Sequence, residues 1–69
     1  MINTHLPDKE DWAYTLEAIR RNKKIQKIDL AVLAGMSVPT LYRVLKGQGT
    51  HDQLKAVEDG IREAINAKD

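Results

Sequence analysis

Residues 27–46, with the sequence KIDLAVLAGMSVPTLYRVLK, decide the fold of this chain. The leucines and alanines of the first part predict a helix over residues 27–34. Gly35 predicts the end of that helix, because glycine adopts a positive φ without a steric penalty. Ser37 is a favourable N-cap and predicts the start of a second helix over residues 38–46. The segment is therefore expected to contain two short helices joined by a tight turn.

The residue types around this turn fit the requirements of a helix-turn-helix motif. Ala31 is small, as a residue must be where the two helices cross, and Gly35 supplies a left-handed turn. Met36 is expected to fill the gap inside the turn. Three further apolar residues are expected to hold the pair against the core: Leu30, Leu41 and Val44. A random pair of apolar helices would satisfy only one or two of these requirements, so residues 27–46 are predicted to form a helix-turn-helix.

A longer helix is predicted before this motif, over about residues 9–23. Asp8 can cap its N-terminus. Its apolar face is formed by residues spaced i, i+4 and i+7: Trp12, Leu16 and Ile19. In the link that follows, Ile25 and Ile28 are expected to point inward. Residues 1–7 are expected to form a flexible arm.

A fourth helix is predicted after the motif, over about residues 51–67. Thr50 and Gln53 have the spacing of a capping box at its start. Its apolar stripe is formed by four residues: Leu54, Val57, Ile61 and Ile65. Gly60 in its middle indicates either a kink between two shorter helices or a close approach by another backbone. The predicted fold is all-α, a compact four- to five-helix bundle with a single domain over residues 8–69.

Length and composition exclude several classes of protein. A chain of 69 residues without cysteine has neither disulfides nor a cysteine zinc site. Apolar residues make up 42% and charged residues 30%, which is typical of a folded domain rather than a disordered chain. The longest apolar run, residues 30–34, is far shorter than the roughly 20 residues that span a bilayer. Residues 1–7 show no signal-peptide pattern, so a cytoplasmic location is expected.

An enzyme is not expected, because so short a chain leaves little room for a substrate pocket with a catalytic apparatus. No cofactor and no small-molecule ligand are expected either. His5 and His51 each lack a second ligand at metal-binding spacing, so no metal site is predicted.

The charge is uneven along the chain, although the net charge is only +1. Five basic residues fall within eight positions: Arg20, Arg21, Lys23, Lys24 and Lys27. Cations at the end of a helix complement its dipole, so this run can be a solvated helix end. It can equally be a patch that meets an acidic polymer. The sequence leaves both interpretations open.

The motif resembles that of bacterial and phage helix-turn-helix repressors in the pattern Leu30-Ala31-x-x-Ala34-Gly35-Met36-Ser37-x-x-Thr40-Leu41-x-Arg43-Val44-Leu45. Residues 16–47 are similar in spacing to the lambdoid phage repressor and Cro (XRE-like) family. The resemblance implies a lambda repressor-like DNA-binding domain. Two differences concern polar residues. The family often has glutamine where Lys27 and Pro39 stand, and it often pairs an arginine at the position of Arg20 with a glutamate at the position of Leu45.

If the motif binds DNA, its second helix enters the major groove with the N-terminus first. The residues expected to contact DNA lie on this helix, at its ends and at the start of the preceding helix: Lys27, Ser37, Val38, Pro39, Thr40, Tyr42, Arg43, Lys46 and Gln48. Arg43 is the candidate for base readout, through a bidentate contact to guanine O6 and N7. Val38 and Pro39 can meet only apolar features such as the thymine methyl group, so DNA shape is expected to contribute to recognition.

The remaining candidates are expected to contact phosphate. Hydroxyl groups suited to phosphate oxygens are found on three of them: Ser37, Thr40 and Tyr42. Lys27, with the N-terminus of its helix, is expected to hold the DNA backbone. Weaker phosphate candidates follow at the end of the second helix: Lys46 and Gln48. For Tyr42 the alternative is a ring packed on the helix surface, and for Arg20 the alternative to a DNA contact is an intrahelical pair with Glu17.

The predicted function is sequence-specific binding of duplex DNA by a small Cro-like transcriptional repressor. A homodimer on an inverted repeat is expected, because two half-sites supply twice the base contacts of one small domain. The alternative is a protein–protein interaction module, such as an antitoxin or an adaptor, that uses the helix-turn-helix as a scaffold. An excisionase-like protein that bends DNA is a further variant.

Overall fold

Four α-helices make up most of the computed structural model, which describes residues 8–67. They are α1 (Lys9–Asn22), α2 (Lys27–Ala34), α3 (Val38–Leu45) and α4 (His51–Ala67). No β-strand occurs within the described residues, and the predicted all-α class is confirmed there with four helices. The predicted ends of α1 and α3 are one residue too long, because Lys23 and Lys46 cap these helices. The predicted arm at residues 1–7 lies outside the described residues.

Short polar side chains fix where the two long helices begin. The carboxylate of Asp8 accepts a hydrogen bond of 2.8 Å from the backbone N–H of Glu10 at the start of α1. At the start of α4, the N–H of Thr50 donates to the side-chain oxygen of Gln53 at 2.9 Å. The N–H of Gln53 donates to the Thr50 hydroxyl at 3.0 Å in return. This reciprocal pair is the predicted capping box, and it satisfies backbone donors that the first turn leaves without a partner.

The turn between α2 and α3 depends on Gly35, which has φ 72° and ψ 35°. Its N–H donates to the carbonyl of Val32 at 3.1 Å, and the N–H of Met36 donates to the carbonyl of Ala31 at 3.0 Å. These two bonds form a Schellman motif, which ends α2 and reverses the local direction of the chain. As a result, the axes of α2 and α3 are bent by 95°.

The core lies where all four helices meet. Its buried side chains are apolar: Ala13, Leu16, Ile25, Leu30, Ala31, Leu41, Val44, Leu45, Leu54, Val57 and Ile61. Met36 packs against this cluster from the turn, as predicted, and so do Trp12 and Ile19 from α1. Within residues 8–67 no polar or charged residue is buried. Hydrophobic burial therefore holds the helices together, and every polar side chain described retains access to solvent.

Gly60 lies inside one continuous helix, α4, so the predicted alternative of a kink is wrong. A β-carbon added at this position would lie 3.0 Å from Cδ1 of Leu30 and 3.4 Å from the backbone nitrogen of Ala34. The close approach of another backbone, which was the second alternative, is therefore confirmed. The missing side chain allows α2 to pack closely across α4.

The prediction that Ile28 points inward is wrong, because this residue is 61% exposed. Ile25, predicted with it, is buried. The difference follows from the helical geometry of α2, in which Leu30 and Ala31 face the core. Ile28 lies two residues before Leu30, which is about 200° around the helix axis, so it faces solvent. Val32 is exposed on the same helix.

Candidate nucleic-acid interface

The exposed side of α3 carries four side chains spaced i, i+3, i+4 and i+7. They are Pro39, Tyr42, Arg43 and Lys46. The opposite side is buried and contributes three residues to the core: Leu41, Val44 and Leu45. Since α3 contains no acidic residue, its exposed side carries only positive charge.

Arg43 is exposed near the middle of this stripe. Among residues 8–67 no hydrogen bond or ion pair occupies its guanidinium group. The helix that carries Arg43 contains no carboxylate. The five N–H donors of this group are therefore available to a partner with paired acceptors.

The first turn of α3 holds two of the predicted hydroxyl groups close to each other. The Ser37 hydroxyl accepts a hydrogen bond of 3.3 Å from the N–H of Thr40, which makes Ser37 the N-cap as predicted. The same hydroxyl donates to Oγ1 of Thr40 at 3.0 Å. Ser37 thus uses its one hydroxyl hydrogen within the protein, whereas the hydrogen of Thr40 remains to be donated. Thr40 is half-buried, so it is less accessible than predicted, while Val38 and Pro39 are exposed beside it.

Lys27, Tyr42 and Lys46 meet in one cluster, although they come from two helices. Nζ of Lys27, at the start of α2, lies 4.9 Å from the centroid of the Tyr42 ring. Nζ of Lys46, at the end of α3, lies 4.3 Å from the same centroid. Both distances are within the range of a cation–π interaction. The Tyr42 side chain is 46% exposed, so its ring is both packed against neighbouring side chains and open to solvent.

The cluster borders a cleft of about 220 Å³ between α1 and α3. Six residues line it: Glu17, Arg21, Lys27, Tyr42, Leu45 and Lys46. Arg21 belongs to the basic run noted in the sequence, but its place beside α3 was not predicted, because that place depends on how the helices pack. Gln48 lies exposed just beyond α3, and its backbone N–H donates to the carbonyl of Arg43 at 2.9 Å.

Arg20 has a structural role, which was the alternative to its contact with DNA. Its guanidinium group forms a two-point contact with the Glu17 carboxylate, at 2.7 and 2.9 Å. A third bond of 2.7 Å joins it to the backbone carbonyl of Ile25. The hydrogen bond from Arg20 is the main reason that the pKa of Glu17 lies below its ordinary value. Glu17 thus supplies the carboxylate for Arg20, whereas Leu45, where the repressor family often has a glutamate, is buried and apolar.

A separate apolar groove of about 290 Å³ runs between α1 and α4. Trp12, Ile19 and Ile65 contribute to it. The indole N–H of Trp12 donates to Glu58 at 3.1 Å across the groove. Most of the predicted stripe on α4 is core, and only Ile65 of its four residues is half-exposed. The groove contains neither a cluster of cations nor the exposed residues of α3.

Residues 8–67 contain no group of three or more histidine, aspartate or glutamate side chains that could hold a metal ion. No single helix in that range has the length and apolar composition needed to cross a membrane; α2 and α3 reach it only as a pair, across their 95° bend.

Comparison of the chain with protein-family models, with curated proteins and with solved structures found no significant match. The function of this chain is therefore inferred from the geometry and chemistry of its own residues.

Proposed function

We propose that this protein is a sequence-specific regulator of transcription that binds duplex DNA through a helix-turn-helix formed by α2 and α3. Three features of residues 27–46 support the motif. The helices are joined by the left-handed residue Gly35, their axes are bent by 95°, and Met36 packs against the core from the turn. Helix pairs of this motif cross at about 90–120°.

One observation carries the proposal: α3 exposes an arginine that has no partner among residues 8–67, on a helix side without acidic residues. A helix of this width fits the major groove of B-DNA. There, Arg43 can donate two parallel hydrogen bonds to O6 and N7 of a guanine. Val38 and Pro39 precede it on the same helix and can contact only apolar base features. Readout then depends on Arg43 together with DNA shape.

Contacts with phosphate are proposed for the polar groups around Arg43. The cations Lys27 and Lys46 both lie against the ring of Tyr42. Thr40 retains a hydroxyl hydrogen that a phosphate oxygen can accept. Ser37 and Gln48 lie exposed at the two ends of α3. Such contacts position a protein on the duplex, and they carry no direct sequence information.

The proposed mode of action is that of a small Cro-like repressor, which occupies an inverted-repeat operator as a homodimer. One copy offers a single arginine for base readout, so one half-site provides little specificity. Two copies related by a twofold axis place two α3 helices on half-sites one helical turn apart. The affinity for an operator then depends on the concentration of the protein.

Substitution of Arg43 tests this function. First, duplexes bound by the wild-type protein are selected from a random library, and binding to the enriched duplex is measured by fluorescence anisotropy. We expect Arg43→Ala to weaken this binding by about 1–3 kcal/mol and to relax the preference at one base pair of each half-site. Arg43→Lys keeps the charge but loses the two-point contact, so it should retain non-specific binding and lose specificity.

The matched control is Arg62→Ala, which removes an exposed arginine from α4 and should leave binding unchanged. Equal binding by the wild-type protein and Arg43→Ala would contradict the proposal.

The second candidate function, a protein–protein interaction module, would then be preferred. It is favoured by the exposure of Ile28 (61%) and Val32 (75%) on α2, since exposed apolar patches mark interaction sites.

A further inference from the structure

Two lysines of the proposed DNA-binding surface share a single aromatic ring. Lys27 and Lys46 are 19 positions apart in the sequence, and the bend between α2 and α3 brings both onto Tyr42. The two distances to the ring centroid place their ammonium nitrogens within about 9 Å of each other. Like charges repel at such a separation, and the contact of each ammonium group with the ring face offsets part of that repulsion.

We propose that Tyr42 is a positioning residue whose ring, rather than its hydroxyl, holds Lys27 and Lys46 at the cleft between α1 and α3, where they bind phosphodiester groups of the DNA backbone. This inference rests on the proposed function, and it assigns the phosphate-binding role to the cleft. It also reverses the role expected of Tyr42 from sequence, in which the hydroxyl contacts the phosphate directly.

The chemistry of the ammonium group favours this arrangement. A lysine ammonium has three N–H donors and no acceptor. A ring face attracts the cation through its quadrupole and does not use all three donors. Each lysine on Tyr42 therefore keeps donors for a phosphate oxygen. The ring also restricts these two long side chains before DNA binds. Less rotamer freedom is therefore lost on binding.

The remaining lining of the cleft is compatible with an anion. Arg21 adds a third cation, with a side chain that is 73% exposed. Glu17 is the one carboxylate in the lining, and it would repel phosphate if it were unpaired. Both Arg20 and Arg21 donate hydrogen bonds to it, so its charge is compensated within α1. Leu45 forms the apolar part of the lining.

Two substitutions of Tyr42 separate the ring from the hydroxyl. Tyr42→Phe keeps the ring and loses the hydroxyl, whereas Tyr42→Leu loses both. We expect Tyr42→Phe to bind the selected duplex like the wild-type protein and Tyr42→Leu to bind about tenfold more weakly. Thermal unfolding of both variants establishes that they are folded. If Tyr42→Phe binds as weakly as Tyr42→Leu, the hydroxyl makes the contact and the inference is wrong.

A double-mutant cycle tests whether the ring acts through the lysines. Lys27→Gln should weaken binding several-fold in the wild-type protein and much less in the Tyr42→Leu background. It should also lower the slope of log K against log salt by about 0.9, as expected for one lost phosphate contact. Lys55→Gln is the control, since it removes the same charge from α4, and it should change neither quantity. Equal effects of Lys27→Gln in the two backgrounds would overturn the positioning role.

A measurement without DNA separates this inference from the proposed function. In proton NMR spectra, the ring current of an aromatic side chain shifts the ε-methylene protons of a lysine held over its face. We expect this shift for Lys27 and Lys46 in the wild-type protein and in Tyr42→Phe, and its loss in Tyr42→Leu. Absence of the shift in the wild-type protein would overturn the inference even if DNA binds. Presence of the shift together with no binding to any duplex would instead contradict the proposed function and the phosphate role that rests on it.

Discussion

At the scale of single residues, Arg20 shows how one side chain can connect a helix to the segment that follows it. Its guanidinium group binds Glu17 within α1 and also the carbonyl of Ile25 in the link before α2. The Arg20 side chain is only 11% exposed, so solvent screens these contacts weakly. The group therefore fixes the path of the chain into α2, on which the position of Lys27 depends.

Replacement of Arg20 should destabilise the fold. We expect Arg20→Ala to lower the free energy of unfolding by about 2 kcal/mol, because it removes hydrogen bonds between charged and partly buried groups. Arg21→Ala is the matched control. It removes a second arginine from the same carboxylate, but that side chain is 73% exposed, and the expected loss is about 0.5 kcal/mol or less. Urea denaturation of both variants checks this, and equal losses would show that Arg20 has no special role.

The same ion pair predicts a dependence on pH. The pKa of Glu17 is lower in the folded protein than its ordinary value of 4.5, chiefly because Arg20 donates hydrogen bonds to the charged carboxylate. The stabilisation is complete above pH 4.5 and is lost as the pH falls through the lower pKa of the folded state. The free energy of unfolding should therefore decrease below about pH 4.5, and less steeply in Glu17→Gln. Parallel curves for the two proteins would contradict this account.

At the scale of helices, the contact of α2 with α4 positions α3, the helix proposed to contact the DNA bases. Gly60 lets Leu30 and the backbone of α2 approach α4 closely. Since α3 follows α2 after only three residues, the orientation of α3 depends on this contact. The absence of a side chain at residue 60 is thus a requirement of packing, although glycine lowers the intrinsic stability of a helix.

A large side chain at residue 60 should separate the two helices. We expect Gly60→Leu to lower the free energy of unfolding by about 2 kcal/mol, because its side chain must displace Leu30 from a filled core. Glu63→Leu places the same residue type on an exposed position of α4 and should change stability by about 0.5 kcal/mol or less. Thermal unfolding monitored by circular dichroism checks both variants. A Gly60→Leu variant as stable as the wild-type protein would show that α2 and α4 are not closely packed.

The helices could be predicted from the sequence because their limits depend on local chemistry. Asp8 and Ser37 cap helices within three residues of themselves, and Gly35 ends α2 through its own backbone. The exposure of Ile28 could not be predicted in this way, because it depends on which side of α2 meets the other helices. The same limit applies to Tyr42, whose contact with Lys27 requires the 95° bend. Residue types at the site were thus predictable, but their grouping was not.

At the scale of the whole molecule, the net charge is only +1. Positive charge is nevertheless concentrated where DNA is proposed to bind, on Lys27, Arg43 and Lys46. A protein with so small a net charge gains little from non-specific attraction to DNA. In the proposed complex, the affinity for DNA comes from local contacts by Arg43 and by the cluster of Lys27, Tyr42 and Lys46, repeated in a second copy. Sedimentation of the protein with its selected duplex should reveal two copies per duplex. A single copy on DNA would remove the dimer and leave DNA binding in place.

The most direct test of the central claim is selection of bound sequences from a random duplex library at near-physiological salt. We expect enrichment of an inverted repeat, with a guanine in each half-site and half-site centres about one helical turn apart. If the sequences selected by Arg43→Ala lack a preference for that guanine, the contact with the guanine is assigned to Arg43. No enrichment over the starting library, with only weak binding that disappears at higher salt, would contradict sequence-specific recognition by this chain.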